Sequence, residues 1–159
     1  MTKLKGILLT QGMHGMISQV EGLAKALDLD YTHHTVELNN FWKLLPPKIT
    51  PISQKVFKKI DAEEFDVIIS CGRKSVVPSI FLKKNSSKKI INIHIQDPKV
   101  NLNNFSYVIA PEHDQLNGEN VLLTKGAMHY LTKKEINDNT DYLKNRLQSG
   151  KEYFLLILG

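Results

Sequence analysis

The chain has 159 residues, 42% of them hydrophobic and 23% charged, which fits one packed domain and excludes wholesale disorder. Its formal charge of +5 is mild and its lysines are scattered, with doublets such as Lys83-Lys84, Lys88-Lys89 and Lys133-Lys134. A nucleic-acid partner, which calls for a denser basic stripe, is therefore not expected, whereas attraction to anionic lipid or to phosphorylated ligands is permitted.

Cys71 is the one cysteine, so no disulfide can form within the chain. In its apolar run it reads as a small buried hydrophobe, compatible with a reducing cytoplasm. Residues 1–10 lack the long apolar core of a signal peptide, and no run reaches the ~18 apolar residues of a membrane span. The expectation is a cytoplasmic protein, with any membrane contact peripheral.

In chain order, Leu4–Thr10 reads as a strand, Gln11–Gly15 as a glycine-containing loop, and Met16–Leu27 as an amphipathic helix, with Ile17, Val20, Leu23, Ala24 and Leu27 at helical spacing. Tyr31–Leu38 reads as a strand. Pro46-Pro47 bars a helix interior within the irregular 39–50 segment, and Pro51–Ile60 resembles a short helix. Phe65–Cys71 is a buried strand, Ser75–Lys84 a helix with Pro78 in its first turn, and Lys89–Ile95, Phe105–Ala110 and Asn120–Thr124 are further strands. Thr132–Gln148 reads as a polar helix opened by a Thr132/Glu135 capping box and closed by Gly150. Short buried strands alternating with helices predict an α/β, Rossmann-like, mainly parallel sheet with helices on both faces. Glu152–Gly159 is an apolar strand that either completes this sheet or opens a second domain beyond Gly159, and left uncovered it would favour self-association.

Ligands of such sheets bind outside the carboxyl ends of the strands, which singles out four loops. Gly12 and Gly15 flank the first turn, where glycine allows positive φ and close approach of a ligand and the following helix offers free amides to an anion. The same glycines also suit a plain tight turn, and His14 sits at its tip. In Gly72-Arg73-Lys74-Ser75 two cations precede a helix start that Ser75 can cap, an arrangement suited to phosphate, diphosphate or carboxylate; the alternative is two solvated cations. Gln96-Asp97-Pro98 can orient a ligand through amide and carboxylate, or be an Asp-Pro turn on local grounds alone. Glu112, His113 and Asp114 place carboxylates beside an imidazole, the usual means of orienting a base, although a polar loop bonded to its own backbone has the same composition. Gly126 and His129 are a further rim element. The six histidines are dispersed, and His33-His34 would face opposite sides of a strand, so no metal site is expected. Phe41–Lys48 is an aromatic, apolar stretch with two lysines, in which Trp42 either meets a lipid headgroup boundary or folds back onto the core.

Taken together, Gln11-Gly12-Met13-His14-Gly15, Gly22-Leu23-Ala24, Gly72-Arg73-Lys74-Ser75, Gln96-Asp97-Pro98, Ala110-Pro111-Glu112-His113-Asp114 and Thr124-Lys125-Gly126-Ala127-Met128-His129 resemble, in order and spacing, the mitochondrial-fission "elongated mitochondria" family, which has many bacterial members. The resemblance runs from Leu4 to Gly159. It implies a GT-B-like protein in which residues 1–150 are the amino-terminal domain and residues 151–159 begin a second domain that this chain lacks. The family's first loop usually opens Asp-Gly-Lys, where Gln11, Gly12 and Met13 stand here, so an acid and a base are replaced.

Two functions follow from the resemblance. One is the acceptor-side half of a sugar transfer from a nucleotide-sugar donor, with His14 or the Glu112–His113 pair as base and with Gly12, Gly15, Gly72, Arg73, Lys74, Ser75, Gln96 and Asp97 holding phosphate or acceptor oxygens. It needs no cofactor, and little catalysis is expected from this half alone. The other is a non-catalytic ligand-binding or membrane-associated interaction module.

Overall fold

The computed structural model describes residues 3–60, 64–144, 146–148 and 150–154. Six strands, β1 (Lys5–Thr10), β2 (Asp30–Thr35), β3 (Val67–Cys71), β4 (Ile91–Ile95), β5 (Tyr107–Pro111) and β6 (Val121–Thr124), form one sheet in the order β2-β1-β3-β4-β5-β6. Every pairing is parallel. The helices among the described residues are α1 (His14–Ala26), α2 (Val76–Lys84) and α3 (Lys133–Lys144). This is the α/β, Rossmann-like arrangement that the alternation of apolar runs and helical patterns implies.

The parallel sheet is covered on both sides because alternate residues of its central strands are apolar in both directions. Leu8, Val67, Ile69, Cys71, Ile93, Ile95 and Ile109 pack with Val20 and Ala24 of α1. On the other face Ile7, Leu9 and Ile68 pack with Val77 of α2 and with Val36, Leu38, Val56 and Phe57. Each such side chain contributes about 1.5–3 kcal/mol on burial. Val76 and Ile80 of α2 add a smaller cluster with Phe105 and Val108.

Three elements differ from the expectation. The 51–60 segment forms no α-helix, only a 3-10 turn at Gln54–Val56 capped by Ser53. Val56 and Phe57 are adjacent and both buried. The backbone instead runs antiparallel to 37–39, through Asn39 N–H to Val56 O at 2.9 Å, Lys58 N–H to Glu37 O at 2.9 Å and a Leu38–Phe57 bridge. Helix α1 begins at His14, so Gly15 lies inside its first turn rather than at a positive φ; only Gly12 has one there (+84°). Helix α3 does open on the capping box, with Thr132 N–H to Glu135 Oε2 at 2.7 Å and Glu135 N–H to Thr132 Oγ1 at 3.2 Å. It ends at Lys144, before Gly150, and the Gln148 N–H beyond it donates to the Tyr153 hydroxyl. The expected final strand lies, from residue 155 onward, outside the described residues; residues 152–154 are irregular.

Candidate functional site

In a sheet of this order the chain changes direction between β1 and β3, and the loops after these strands lead to α1 and α2 on opposite faces. Such a switch point is where doubly wound sheets ordinarily open a ligand crevice. Here it is filled. Gly72 has φ +88°, a conformation that favours glycine, and a Cβ there would meet the flexible ends of Gln11, 2.5 Å from Nε2, and of Met16, 2.6 Å from Sδ. The Gly12 N–H donates to Thr10 Oγ1 at 3.0 Å, and that hydroxyl is 2.8 Å from His33 Nε2. Burial lowers the pKa of the His33 imidazole, against the charge of Glu21.

The Gly72–Ser75 loop is bound up in the same way. Ser75 does not cap a helix: it is buried, and its hydroxyl donates back to Gly72 O at 2.7 Å, because residues 73–75 form a 3-10 turn that carries Ser75 inside the helical run. The Arg73 guanidinium donates to Lys43 O at 2.8 Å and ties down the 41–45 loop. Lys74 is half-buried and His14 is exposed at the start of α1.

An open cavity of about 410 Å³ lies farther along the rim, at the carboxyl ends of β4, β5 and β6. Its polar lining is Gln19, Gln96, Asp97, Lys99, His113, Asp114 and Thr124. The Gln96 N–H prolongs the ladder by donating to Ile109 O at 2.8 Å, yet Gln96 has φ +82° and Lys99 φ +56°. Two non-glycine residues in the left-handed half of conformational space bracket Asp97-Pro98, a costly backbone that the surroundings must hold in place. Asp97 makes the local turn and also borders the cavity. Its Oδ1 accepts the Lys99 N–H at 2.8 Å, a local turn, while its Oδ2 lies 2.6 Å from Lys99 Nζ and the side chain stays 15% exposed at the cavity. Partial burial works to raise the Asp97 pKa, but the hydrogen bonds and charge of Lys99, with a contribution from His94, hold it below the ordinary carboxylate value.

The second loop is a 3-10 turn, Glu112–Asp114, closed by Gln115 at φ +51°. It pairs His113 with Asp114, Nε2 to Oδ1 at 3.5 Å, a distance of electrostatic contact rather than of a hydrogen bond. Glu112, the partner expected from the sequence, is exposed and outside the cavity lining, because successive residues of so short a turn point in different directions. The third wall is the chain after β6. Thr124 Oγ1 donates to Gly126 O at 2.8 Å, and residues 127–130 then cross α1. Gly22 makes that crossing possible: a Cβ there would be 2.9 Å from the carbonyl of His129. Met128 packs into the α1-side core, and Lys25 Nζ sits 4.7 Å above the Tyr130 ring.

Of the residues singled out by sequence, the structure brings Gln96, Asp97, His113 and Asp114 into one cavity. Gly12, His14, Gly15, Gly72, Arg73, Lys74, Ser75 and Glu112 are not among its walls. Sequence reasoning did not single out Gln19, Lys99 and Thr124. Lys99 was legible from the Asp-x-Lys spacing, which suits an Asx turn; Gln19 carries no local signal. Among the described residues, no three His, Cys, Asp or Glu side chains converge as a metal site.

The model of the family described as mitochondrial fission ELM1 matches residues 14–159. The chain belongs to that family. No curated protein and no solved structure matches it. The match to the ELM1 family covers all three loops of the cavity, while β1 and Gln11-Gly12-Met13 precede it. No helix of the described residues is long and apolar enough to cross a membrane.

Proposed function

We propose that this ELM1-family chain is the acceptor-side half of a GT-B-type sugar transfer from a nucleotide-activated donor. The observation that carries the reading is the rim cavity, where an imidazole beside a carboxylate, His113 with Asp114, faces Asp97, Gln96 and Thr124 across about 410 Å³. In the transfer, an acceptor hydroxyl oxygen attacks the anomeric carbon. The bond to the nucleotide phosphate breaks, and the leaving diphosphate keeps its electron pair. His113 takes the hydroxyl proton, and the Asp114 carboxylate stabilises the imidazolium. Ionised Asp97 and the Gln96 amide hold other sugar hydroxyls, and the donor is carried by a second domain.

The test is a thermal-shift panel of nucleotide sugars, free nucleotides, acceptor-type sugars, phosphate and citrate on the full chain, because a ligand specific to the folded state raises its apparent stability. A sugar or nucleotide sugar that shifts the transition, with the shift abolished in His113→Ala and Asp97→Asn, supports the reading. A panel without a shift, or a shift that both variants keep, overturns it.

One observation favours a second reading, a membrane-associated module. Between residues 38 and 60 there are five lysines and no acid, and within this stretch Phe41, Leu44, Ile49 and Ile52 are exposed while Trp42 packs on the core. The lipid-facing side chains of this reading are therefore the neighbours of Trp42, not Trp42 itself.

A further inference from the structure

A second cavity, of about 480 Å³, lies on the α2 face, apart from the proposed transfer site except that Lys99 borders both. Its size is that of ordinary small-molecule sites, roughly 300–1,000 Å³. Val76, Val77 and Ile80 of α2, Ile52 and Val100 give it an apolar lining. The polar groups around it are largely committed to their own loops. Thr50 Oγ1 donates to Pro46 O at 2.9 Å, Asn101 Oδ1 accepts the Asn103 N–H at 2.9 Å, and Asn104 Nδ2 donates to Asn101 O at 2.9 Å. What the cavity offers a ligand is therefore an apolar surface together with the ammonium group of Lys48, since the Lys99 ammonium is paired with Asp97 Oδ2 at 2.6 Å, and no acidic residue lines it.

We infer that this cavity binds a single anionic amphiphile, its alkyl or isoprenoid chain over Val76, Val77 and Ile80 and its phosphate or carboxylate head at Lys48. Sign and polarity both select this class. A neutral polar ligand finds few free donors or acceptors, a cationic one meets the like charge of Lys48, and a bare anion leaves the apolar lining uncovered. The Lys48 stem extends the apolar wall while its head remains in water, which places charge at the mouth and hydrocarbon inside. The inference is independent of the sugar-transfer reading, since it uses none of the residues proposed for that chemistry.

Methyl-resolved NMR of the full chain, titrated with decyl phosphate below its micelle concentration, tests it. Expected are saturable shifts at the methyl groups of Val76, Val77, Ile80 and Val100, no such shifts with inorganic phosphate, and clearly weaker binding of decyltrimethylammonium. Ile52→Glu should remove the response, and Lys48→Glu should weaken it by roughly fivefold, the scale of one exposed ion pair. The rest of each spectrum reports whether the variant is folded, and Lys48, being exposed, can be replaced without touching the core. Shifts confined to other methyls, equal binding of the cationic amphiphile, or unchanged affinity in Lys48→Glu would each overturn the inference. Because the readout is local to α2, its failure is distinct from an unresponsive sugar panel.

Discussion

His94 shows how a single residue near the rim couples to folding. It lies in β4, 1% exposed, with Nδ1 2.9 Å from Ser70 Oγ, and the Ser70 hydroxyl donates to Ile93 O at 3.2 Å. That geometry suits a neutral imidazole that donates to Ser70. Burial pushes its pKa from the ordinary 6.5 down to about 3, with the charge of Asp97 opposing. The unfolded chain therefore binds the proton more readily than the folded one. The contribution of neutral His94 is complete above pH 6.5 and is lost as pH falls from there towards about 3, at up to about 1.4 kcal/mol per pH unit. His33, also lowered by burial, acts with the same sign, whereas the lowered carboxylates Asp97 and Asp66 act only below the ordinary carboxylate value. Urea midpoints measured between pH 7.5 and 5 should fall, and His94→Leu should flatten the slope; a wild-type midpoint flat over this interval would contradict the buried neutral state. The strand Lys89–Ile95 that holds His94 was legible in the sequence. The Ser70 partner of His94, 24 residues earlier, becomes a neighbour only through the β3–β4 register.

Helix α2 shows an element built for burial at some cost. Val76, Val77, Pro78, Ser79 and Ile80 are all buried, so its first turns face protein all round, and Pro78 is tolerated where intrahelical amide donors are not yet needed. Ser79 Oγ is buried without a hydrogen-bond partner among the described residues. An unsatisfied hydroxyl costs about 1–3 kcal/mol, and alanine is the better helix former. Ser79→Ala should therefore raise the urea midpoint, by about 1 kcal/mol or more; a lower midpoint would mean that the hydroxyl has a partner in solution. The helical pattern and the position of Pro78 were readable from the sequence, but Ser79 is indistinguishable there from a surface serine. In the same way the 51–60 pattern looked helical because periodicity cannot register that Val56 and Phe57 are both drawn into one core by the antiparallel 37–39 segment.

For the whole molecule, the distribution of charge matters more than its sum. The stretch between residues 38 and 60 carries five lysines and no acid, a charge equal to the net +5 of the chain, and it exposes Phe41 (67%) and Leu44 (84%). Anionic lipid attracts a basic segment by about 1 kcal/mol per lysine near the surface. The chain should co-sediment with vesicles containing phosphatidylglycerol, less so as salt rises, and not with pure phosphatidylcholine. The double variant Phe41→Asp/Leu44→Asp should release it. Equal binding to both vesicle types, or none to either, would remove the membrane reading while leaving the rim cavity untouched.

Apolar runs, glycine turns and helical spacing were enough to determine a parallel α/β sheet and the rim formed by the carboxyl ends of its strands, because strand burial and helix amphipathicity are local properties of sequence. The order of loops also carried the family. Which loops meet was decided only by tertiary structure. Strand order puts the β4, β5 and β6 ends side by side, so Asp97 and His113 share a cavity, while the glycine loops after β1 and β3 close on Gln11 and Met16. A local pattern can mark a residue as able to bind, but the space to bind in arises between segments far apart in the chain. That space depends on register, on the crossing of residues 127–130 over Gly22, and on which side chains reach the gap first.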